Sequence, residues 1–135
     1  MLRQQRDYAL FCAYQKALEE NDFSNQWEAV EYVRTHAAPK WFVSKEFCAA
    51  VISCRLRGTD HYKMGKSKKR KFDALFDLYQ QKKREHPYCC HLALCEEIVE
   101  MPAPEWYIEH QIAGRIIKEQ MQRRNELMAK RYARR

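Results

Sequence analysis

The chain of 135 residues is long enough for one domain or for two very small ones. Only three glycines and four prolines, among many Ala, Leu, Glu, Lys, Arg and Gln residues, favour helices over sheets. The start, MLRQQRDYAL, lacks the apolar run of a signal peptide, and no stretch approaches transmembrane length, so we expect a cytoplasmic protein without a membrane partner.

The first half of the chain begins with two predicted helices. Apolar residues recur at helical spacing between positions 8 and 18, and Asn21 offers a stop. Ser24 is the expected N-cap of the second helix. One side of that helix carries Trp27, Val30 and Val33.

A third helix follows a proline turn. Pro39 prevents smooth continuation of the second helix, because it lacks an N–H donor and restricts Ala38. Ser44 can cap the next helix, which is expected to end before Gly58. The residues expected to face inward are Phe47, Cys48, Val51, Ile52 and Leu56.

The same layout returns 65 residues later. Residues 7–53 align with residues 72–118 without a gap, and 11 of the 47 pairs are identical. Average residue usage gives about three identities by chance. The phrase APKWFV at 38–43 matches APEWYI at 103–108. We therefore interpret the chain as two copies of one unit, the second with helices near 67–85 and 90–100 and a last one from 109 through the end.

The expected fold is all-α, with two tandem three-helix units from an internal duplication and an extended basic C-terminal helix. The units are predicted at 1–57 and 67–135, joined by a basic linker at 58–66. In each unit the proline-aromatic phrase forms the turn between the second and third helices. Trp41 and Trp106 are expected to fill the core between the helices; the alternative is an exposed platform for stacking nucleobases.

The positive charge is concentrated in two parts of the chain. Residues 1–56 hold seven cations and seven acids, whereas residues 57–71 hold seven cations and one acid. Residues 72–112 hold three cations and eight acids, and residues 113–135 hold eight cations and two acids. The excess therefore lies in the linker with the next helix start and in the last helix.

Cations at the start of a helix oppose its dipole, so stability alone would favour acids there. A polyanionic partner explains such a cluster, because binding releases the counterions condensed on the polymer. A solubilising linker or a basic address signal is the alternative. The predicted phosphate contacts are Arg57, Lys63, Lys66, Lys68, Lys69, Arg70 and Lys71.

The outward faces of the two third helices supply the candidates for reading bases. Arg and Gln suit the edges of guanine and adenine in a major groove, although an ordinary amphipathic helix also shows such residues outward. The predicted groove contacts are Lys45, Ser53, Gln111, Arg115, Lys118 and Gln122.

No catalytic motif is present, so we do not expect an enzyme or a cofactor. The sequence lacks a Gly-rich phosphate loop, a nucleophile elbow and paired metal-ligand spacing. The six cysteines are expected to be reduced. One group could suggest zinc, but no paired C-x-x-C spacing supports a metal there: Cys89, Cys90, His91 and Cys95.

Two three-helix units, each ending in a helix-turn-helix pair, resemble tandem homeodomain-like or Myb-like DNA-binding proteins. The resemblance covers 3–57 and 67–122 in layout, and it implies a DNA-binding function. The turn at about 37–44 is longer than the three or four residues usual in that motif. The segment PAPEWYI is also similar to a group of short, basic, uncharacterised bacterial proteins, a similarity that implies no activity.

Two functions follow as hypotheses. The first is a small DNA-binding protein, such as a transcriptional regulator, with double-stranded DNA as its partner. The second is a helical adaptor that binds a protein through the acidic face of residues 72–112. The adaptor hypothesis predicts an exposed apolar patch near Tyr88, Leu92 or Tyr107.

Overall fold

The computed structural model describes residues 2–59 and 62–133 and has six helices there. They are α1 (Leu2–Glu20), α2 (Gln26–Thr35), α3 (Lys45–Leu56), α4 (Lys66–Glu85), α5 (His91–Val99) and α6 (His110–Ala133). The all-α prediction is confirmed. Asp60 and His61, in the predicted linker, and Arg134 and Arg135, in the predicted last helix, lie outside the described residues. None of the helices in 2–59 and 62–133 is both long enough and apolar enough to cross a membrane.

Side-chain caps fix the starts of α2 and α3. The Asn25 side-chain oxygen accepts a hydrogen bond from the Glu28 N–H at 2.9 Å, so Asn25 is the N-cap where Ser24 was expected. The Ser24 N–H instead donates to the Glu28 carboxylate at 3.1 Å. Asn and Ser cap helices about equally well, so composition alone could not separate the two neighbours. Ser44 caps α3 as predicted and accepts from the Phe47 N–H at 3.1 Å.

The helices form two compact units, and each unit draws on both halves of the chain. Unit 1 consists of Arg3–His36 and Ile108–Arg135, so it contains α1, α2 and α6. Unit 2 consists of Ala37–Tyr107 and contains α3, α4 and α5.

This grouping differs from the expected domains at 1–57 and 67–135. The third helix of each sequence repeat packs with helices of the other repeat: α6 packs against α2, and α3 packs against α5 and α4. The predicted helix-turn-helix pairs, α2 with α3 and α5 with α6, are therefore divided between the two units.

The core of unit 1 is built from one apolar face on each of its helices. Burying a large aliphatic or aromatic side chain contributes about 1.5–3 kcal/mol. The buried side chains include Leu10, Phe11, Tyr14, Ala29, Val30, Val33, Ala113, Ile116 and Ile117.

The core of unit 2 uses matching positions on α3, α4 and α5. Its buried side chains include Cys48, Val51, Ile52, Phe72, Leu75, Tyr79, Leu94, Cys95 and Ile98.

One polar contact ties the three helices of unit 2 together. His91 Nε2 lies 2.8 Å from the Ala49 carbonyl oxygen in α3, and Nδ1 lies 2.9 Å from the Tyr79 hydroxyl in α4. A carbonyl oxygen only accepts, so Nε2 carries a hydrogen and donates it to Ala49; in the neutral ring Nδ1 then accepts from the Tyr79 hydroxyl.

The two proline-aromatic phrases pair with each other in unit 2. Ala38 and Ala103 form an antiparallel bridge, each N–H donating to the other's carbonyl oxygen at 2.9 Å. Trp41 stacks on Tyr107, and Phe42 stacks on Trp106, both with ring centroids 5.7 Å apart.

Trp41 and Trp106 are 4% and 5% exposed. The prediction that they fill the core is confirmed, and the alternative of an exposed stacking platform is wrong.

Two apolar residues of the predicted helices are exposed: Trp27, placed on one side of the second helix with Val30 and Val33, and Leu56, expected to face inward. Trp27, in the first turn of α2, is 60% exposed and lies against His110, with ring centroids 4.6 Å apart. Leu56 is the last residue of α3 and is also exposed. Both lie at helix ends, where fewer neighbouring side chains can cover them.

Candidate nucleic-acid interface

The start of α4 carries a cationic segment at residues 63–71, hereafter the α4 cationic segment. The N-cap Gly65 makes no side-chain hydrogen bond, and the first turn contains no acid. By contrast, α2 has Glu28 and α3 has Glu46 in the first turn, each behind a side-chain cap. The N–H groups that open α4 therefore lack the side-chain acceptor that satisfies the starts of α2 and α3.

Some cations of the α4 cationic segment have partners within unit 2. Lys68 Nζ lies 5.1 Å from the Phe47 ring centroid. Arg70 lies 2.5 Å from the Glu105 carboxylate and also covers the Tyr107 ring at 5.6 Å. Lys71 is half-buried.

Three others are exposed and make no ion pair with any described residue: Lys63, Lys66 and Lys69. These three side chains are free to contact a phosphate.

Arg57 stands at the other end of the predicted phosphate set. It is exposed, but its Nε donates to the Ser53 carbonyl oxygen at 3.4 Å, so it caps the end of α3. Its backbone N–H also donates to that carbonyl, at 3.2 Å. The guanidinium therefore has a structural contact as well as solvent access.

The predicted groove face of α3 is partly used for packing. Lys45 is half-buried and lies 3.7 Å from Glu96 of α5. The carbonyl oxygen of Ala49, on the same face, accepts a hydrogen bond from His91 Nε2. Ser53 is also half-buried. Lys45 and Ser53 are therefore less available than the outward-face interpretation expected.

The predicted groove face of α6 lies open. Its four residues are spaced four, three and four positions apart, so they lie on one side of the helix, and all four are exposed. The opposite side of α6 holds the buried Ala113, Ile116 and Ile117. The structure thus brings together what is hereafter the α6 stripe: Gln111, Arg115, Lys118 and Gln122.

A polar cluster in unit 1, which the sequence interpretation missed, holds the start of α6. Glu31 accepts hydrogen bonds from the Arg34 guanidinium, and its Oε2 lies 2.8 Å from His110 Nδ1. Arg34 also donates to the Ile108 carbonyl oxygen at 3.4 Å. The hydrogen bond from Arg34, followed by the one with His110, lowers the pKa of Glu31. The spacing of Trp27, Glu31 and Arg34 on one face of α2 is the signal that could have revealed the cluster.

A groove of about 780 Å³ lies beside the α6 stripe in unit 1, and Lys118 and Gln122 belong to both. The end of α1, the loop before α2 and the middle of α6 form its walls. Side-chain amides dominate its polar lining, so it is hereafter the amide groove: Asn21, Asn25, Gln26, Gln122 and Asn125. In the sequence, residues 21–25 indicated only a helix stop and a cap.

Most acids of the acidic stretch at 72–112 are neutralised within unit 2. Glu100 lies 2.9 Å from Lys40, Asp73 lies 2.6 Å from Arg55, and Glu97 lies 3.8 Å from Lys82. Glu96 and Glu105 pair with Lys45 and Arg70, as described above. The acidic face on which the adaptor hypothesis depends is therefore largely paired.

The cysteine group near the start of α5 has other partners. His91 uses both ring nitrogens on Ala49 and Tyr79. Cys95 is buried and hydrogen-bonded to Cys48, and this bond, with burial, raises the pKa of the Cys48 thiol. Across 2–59 and 62–133, no three His, Cys, Asp or Glu side chains are grouped as a metal site.

Comparisons of the chain with protein-family models, with curated proteins and with solved structures found no match. The layout shared with tandem homeodomain-like and Myb-like proteins therefore stays a resemblance.

Proposed function

We propose that this protein binds nucleic acid, in the first place double-stranded DNA, without catalysing a reaction. The α4 cationic segment would contact phosphates, and the α6 stripe would contact a groove. The observation that carries the proposal is the exposure of Lys63, Lys66 and Lys69 without an ion-pair partner among the described residues. Their location at an uncapped helix start lowers stability unless an anion is present.

A phosphate would satisfy both features of the α4 start. Backbone N–H groups at a helix N-terminus point toward an anion, and the helix dipole favours negative charge there. Lysine ammonium groups beside those N–H groups add attraction and release counterions from the polymer. The same arrangement would bind any phosphate backbone, so this part of the contact is independent of base sequence.

The α6 stripe would supply the contact with bases. Arg115 can donate two hydrogen bonds to a guanine edge, and Gln111 or Gln122 can pair with adenine. The face of α6 opposite the stripe holds the buried Ala113, Ile116 and Ile117, so packing in unit 1 positions this part of the helix while the stripe stays exposed. A preferred site read in this way would support a role as a transcriptional regulator.

The test is fluorescence anisotropy with a labelled random-sequence duplex of two helical turns, measured across a series of salt concentrations. Replacing Lys63, Lys66 and Lys69 by Gln should weaken binding at least about tenfold at low salt. Losing three phosphate contacts should also reduce the slope of log K against log salt by about three.

The matched control replaces Arg3, Lys16 and Arg84 by Gln. It lowers the net charge of +7 by three, as the test variant does. These side chains are exposed and lie outside both proposed contact surfaces. The control should bind nearly as well as the parent. Equal weakening in both variants would show that net charge, and not these three positions, controls binding, and this would contradict the proposed contact. No weakening in either variant would overturn the proposal.

A protein-binding adaptor remains the second candidate because of one observation. Tyr88 is fully exposed and Leu92 is 46% exposed, at two of the positions where the adaptor hypothesis predicted an apolar patch. Tyr107, the third position, is stacked on Trp41. Replacing Tyr88 and Leu92 by Ser should then abolish capture of a partner while leaving duplex binding unchanged; unchanged capture would remove this candidate.

A further inference from the structure

The amide groove is richer in unsatisfied hydrogen-bonding groups than its role in the fold requires. Asn21 donates its amide nitrogen to the Ala17 carbonyl oxygen at 3.2 Å, which leaves its oxygen for a ligand. Asn25 uses its oxygen to cap α2, which leaves its NH₂ group. Gln26, Gln122 and Asn125 are exposed, and their amides make no hydrogen bond to a described residue.

Apolar and charged groups complete the lining. Leu18 is exposed, while Phe23 and Met121 are half-buried, so the groove has apolar walls between its amides. Lys118 adds a cation and Asp22 a carboxylate. A ligand that fits this lining has a flat apolar body, several donors and acceptors on its edge, and an anionic group.

A groove at the matching place in unit 2 has a different lining. It measures about 480 Å³, and its walls include Leu56, Tyr79, Lys83 and Pro87. These residues stand 65 positions from Met121, Tyr14, Leu18 and Asp22 of the amide groove. The helix arrangement therefore leaves an opening in both units, whereas the concentration of amides belongs to unit 1.

We propose that the amide groove binds an unpaired base of a nucleic acid. This inference rests on the proposed function and adds the feature that the protein recognises. Side-chain amides offer a donor and an acceptor side by side, which matches the hydrogen-bonding edges of nucleobases. Those edges are accessible once a base leaves the stack, and single-stranded loops and bulges present bases in this way.

The placement of the α6 stripe supports the same ligand. Lys118 and Gln122 belong to the stripe and to the groove, so a strand bound along α6 passes the groove opening. Lys118 would contact the phosphate of the unpaired nucleotide. The apolar walls would cover the base, and Asp22 could accept a hydrogen bond from an exocyclic amine.

The experiment compares a paired 20-mer duplex with four duplexes that each carry one central unpaired nucleotide, dA, dC, dG or dT. Binding of the full chain is measured by fluorescence anisotropy across a series of salt concentrations, and the five duplexes are compared at the lowest of them. At least one bulged duplex should bind about tenfold more tightly than the paired duplex. Replacing Gln26 and Asn125 by Ala, two groove amides outside the α6 stripe, should abolish this preference while leaving the salt dependence of paired-duplex binding unchanged, because no charge is removed.

The control variant replaces Gln5 and Gln81 by Ala, two exposed amides outside the groove, and should keep the preference. Thermal melting of both variants checks that each is folded. Salt-dependent binding of the paired duplex without a bulge preference, or a preference that survives the loss of the two groove amides, would overturn this inference alone. If no duplex binds at low salt, both the inference and the proposed function fall.

Discussion

Phe42 and Tyr107 have backbone conformations that bulky residues rarely adopt. Their φ angles are +53° and +55°, in the left-handed region, and they stand 65 positions apart in the two proline-aromatic turns. Such a conformation costs about 1–2 kcal/mol in a residue other than glycine. Each ring stacks on a buried tryptophan, an interaction that contributes about 0.5–1.5 kcal/mol beyond area burial. The stacked rings thus offset the backbone strain of the turns.

This balance predicts different outcomes for two isomeric substitutions at position 42. Phe42→Leu and Phe42→Ile both remove the stacked ring and leave side chains of equal composition. Branching at Cβ makes a positive φ harder to adopt. The free energy of unfolding of Phe42→Ile should therefore be about 1 kcal/mol lower than that of Phe42→Leu. Urea unfolding measures the difference. At Phe47, in helix α3, the same pair should differ by only a few tenths of a kcal/mol; equal stability of the two position-42 variants would mean that the turn relaxes.

At the scale of helices, the sequence was sufficient to locate every element but not to pair them. The 3.6-residue apolar period and the capping residue Ser44 predicted the helices. The starts of α2 to α6 differ from those observed by no more than one residue, whereas the apolar period of α1 begins at position 8 and the helix itself begins at Leu2. Periodicity reveals which face of a helix is apolar but not which helix covers it. Val51 and Ile52 match Ile116 and Ile117 at the 65-residue offset, so α3 and α6 present equivalent faces.

The long connections remove the remaining constraint on pairing. Nine residues separate α2 from α3, and ten separate α5 from α6. Short connections hold successive helices side by side, whereas these are long enough for the third helix to pack elsewhere.

The candidate site could be predicted only in part, for the same reason. The α6 stripe followed from helical spacing alone, but the amide groove joins α1 and α6, which are far apart in the sequence.

The start of α4 provides a prediction at the same scale. Lys66→Glu should raise the melting temperature, since an acid in the first turn interacts favourably with the helix dipole by about 0.3–1 kcal/mol. The same variant should bind duplex DNA more weakly than the parent. Lys16→Glu is the comparison, because Lys16 stands nearer the C-terminal end of α1 and pairs with Glu20 at 4.0 Å, so its reversal should lower stability. A Lys66→Glu protein with unchanged affinity would argue that the lysine serves only solubility.

The net charge is uneven along the chain, but it is nearly equal in the two units into which the chain folds. Residues 37–107 hold thirteen cations and nine acids, a balance of +4, and the remainder holds twelve cations and nine acids, a balance of +3. Cations from the first half, such as Lys40 and Arg55, pair with acids of the acidic stretch. Each unit is therefore net positive, which is compatible with a nucleic-acid partner for both.

The exchange of third helices can be tested through two equivalent side-chain pairs. Lys45, at the start of α3, lies 3.7 Å from Glu96, and His110, at the start of α6, lies 2.8 Å from Glu31. Lys45 and His110 occupy matching positions in the two repeats, as do Glu31 and Glu96. Double-mutant cycles with Ala substitutions should give coupling energies of about 0.3–1 kcal/mol for Lys45 with Glu96 and for His110 with Glu31. If helices instead packed in chain order, the coupling would exchange, to Lys45 with Glu31 and His110 with Glu96. Because both cycles use the same four side chains, differences in intrinsic helix propensity cancel, and the pattern of coupling depends only on which helices are neighbours.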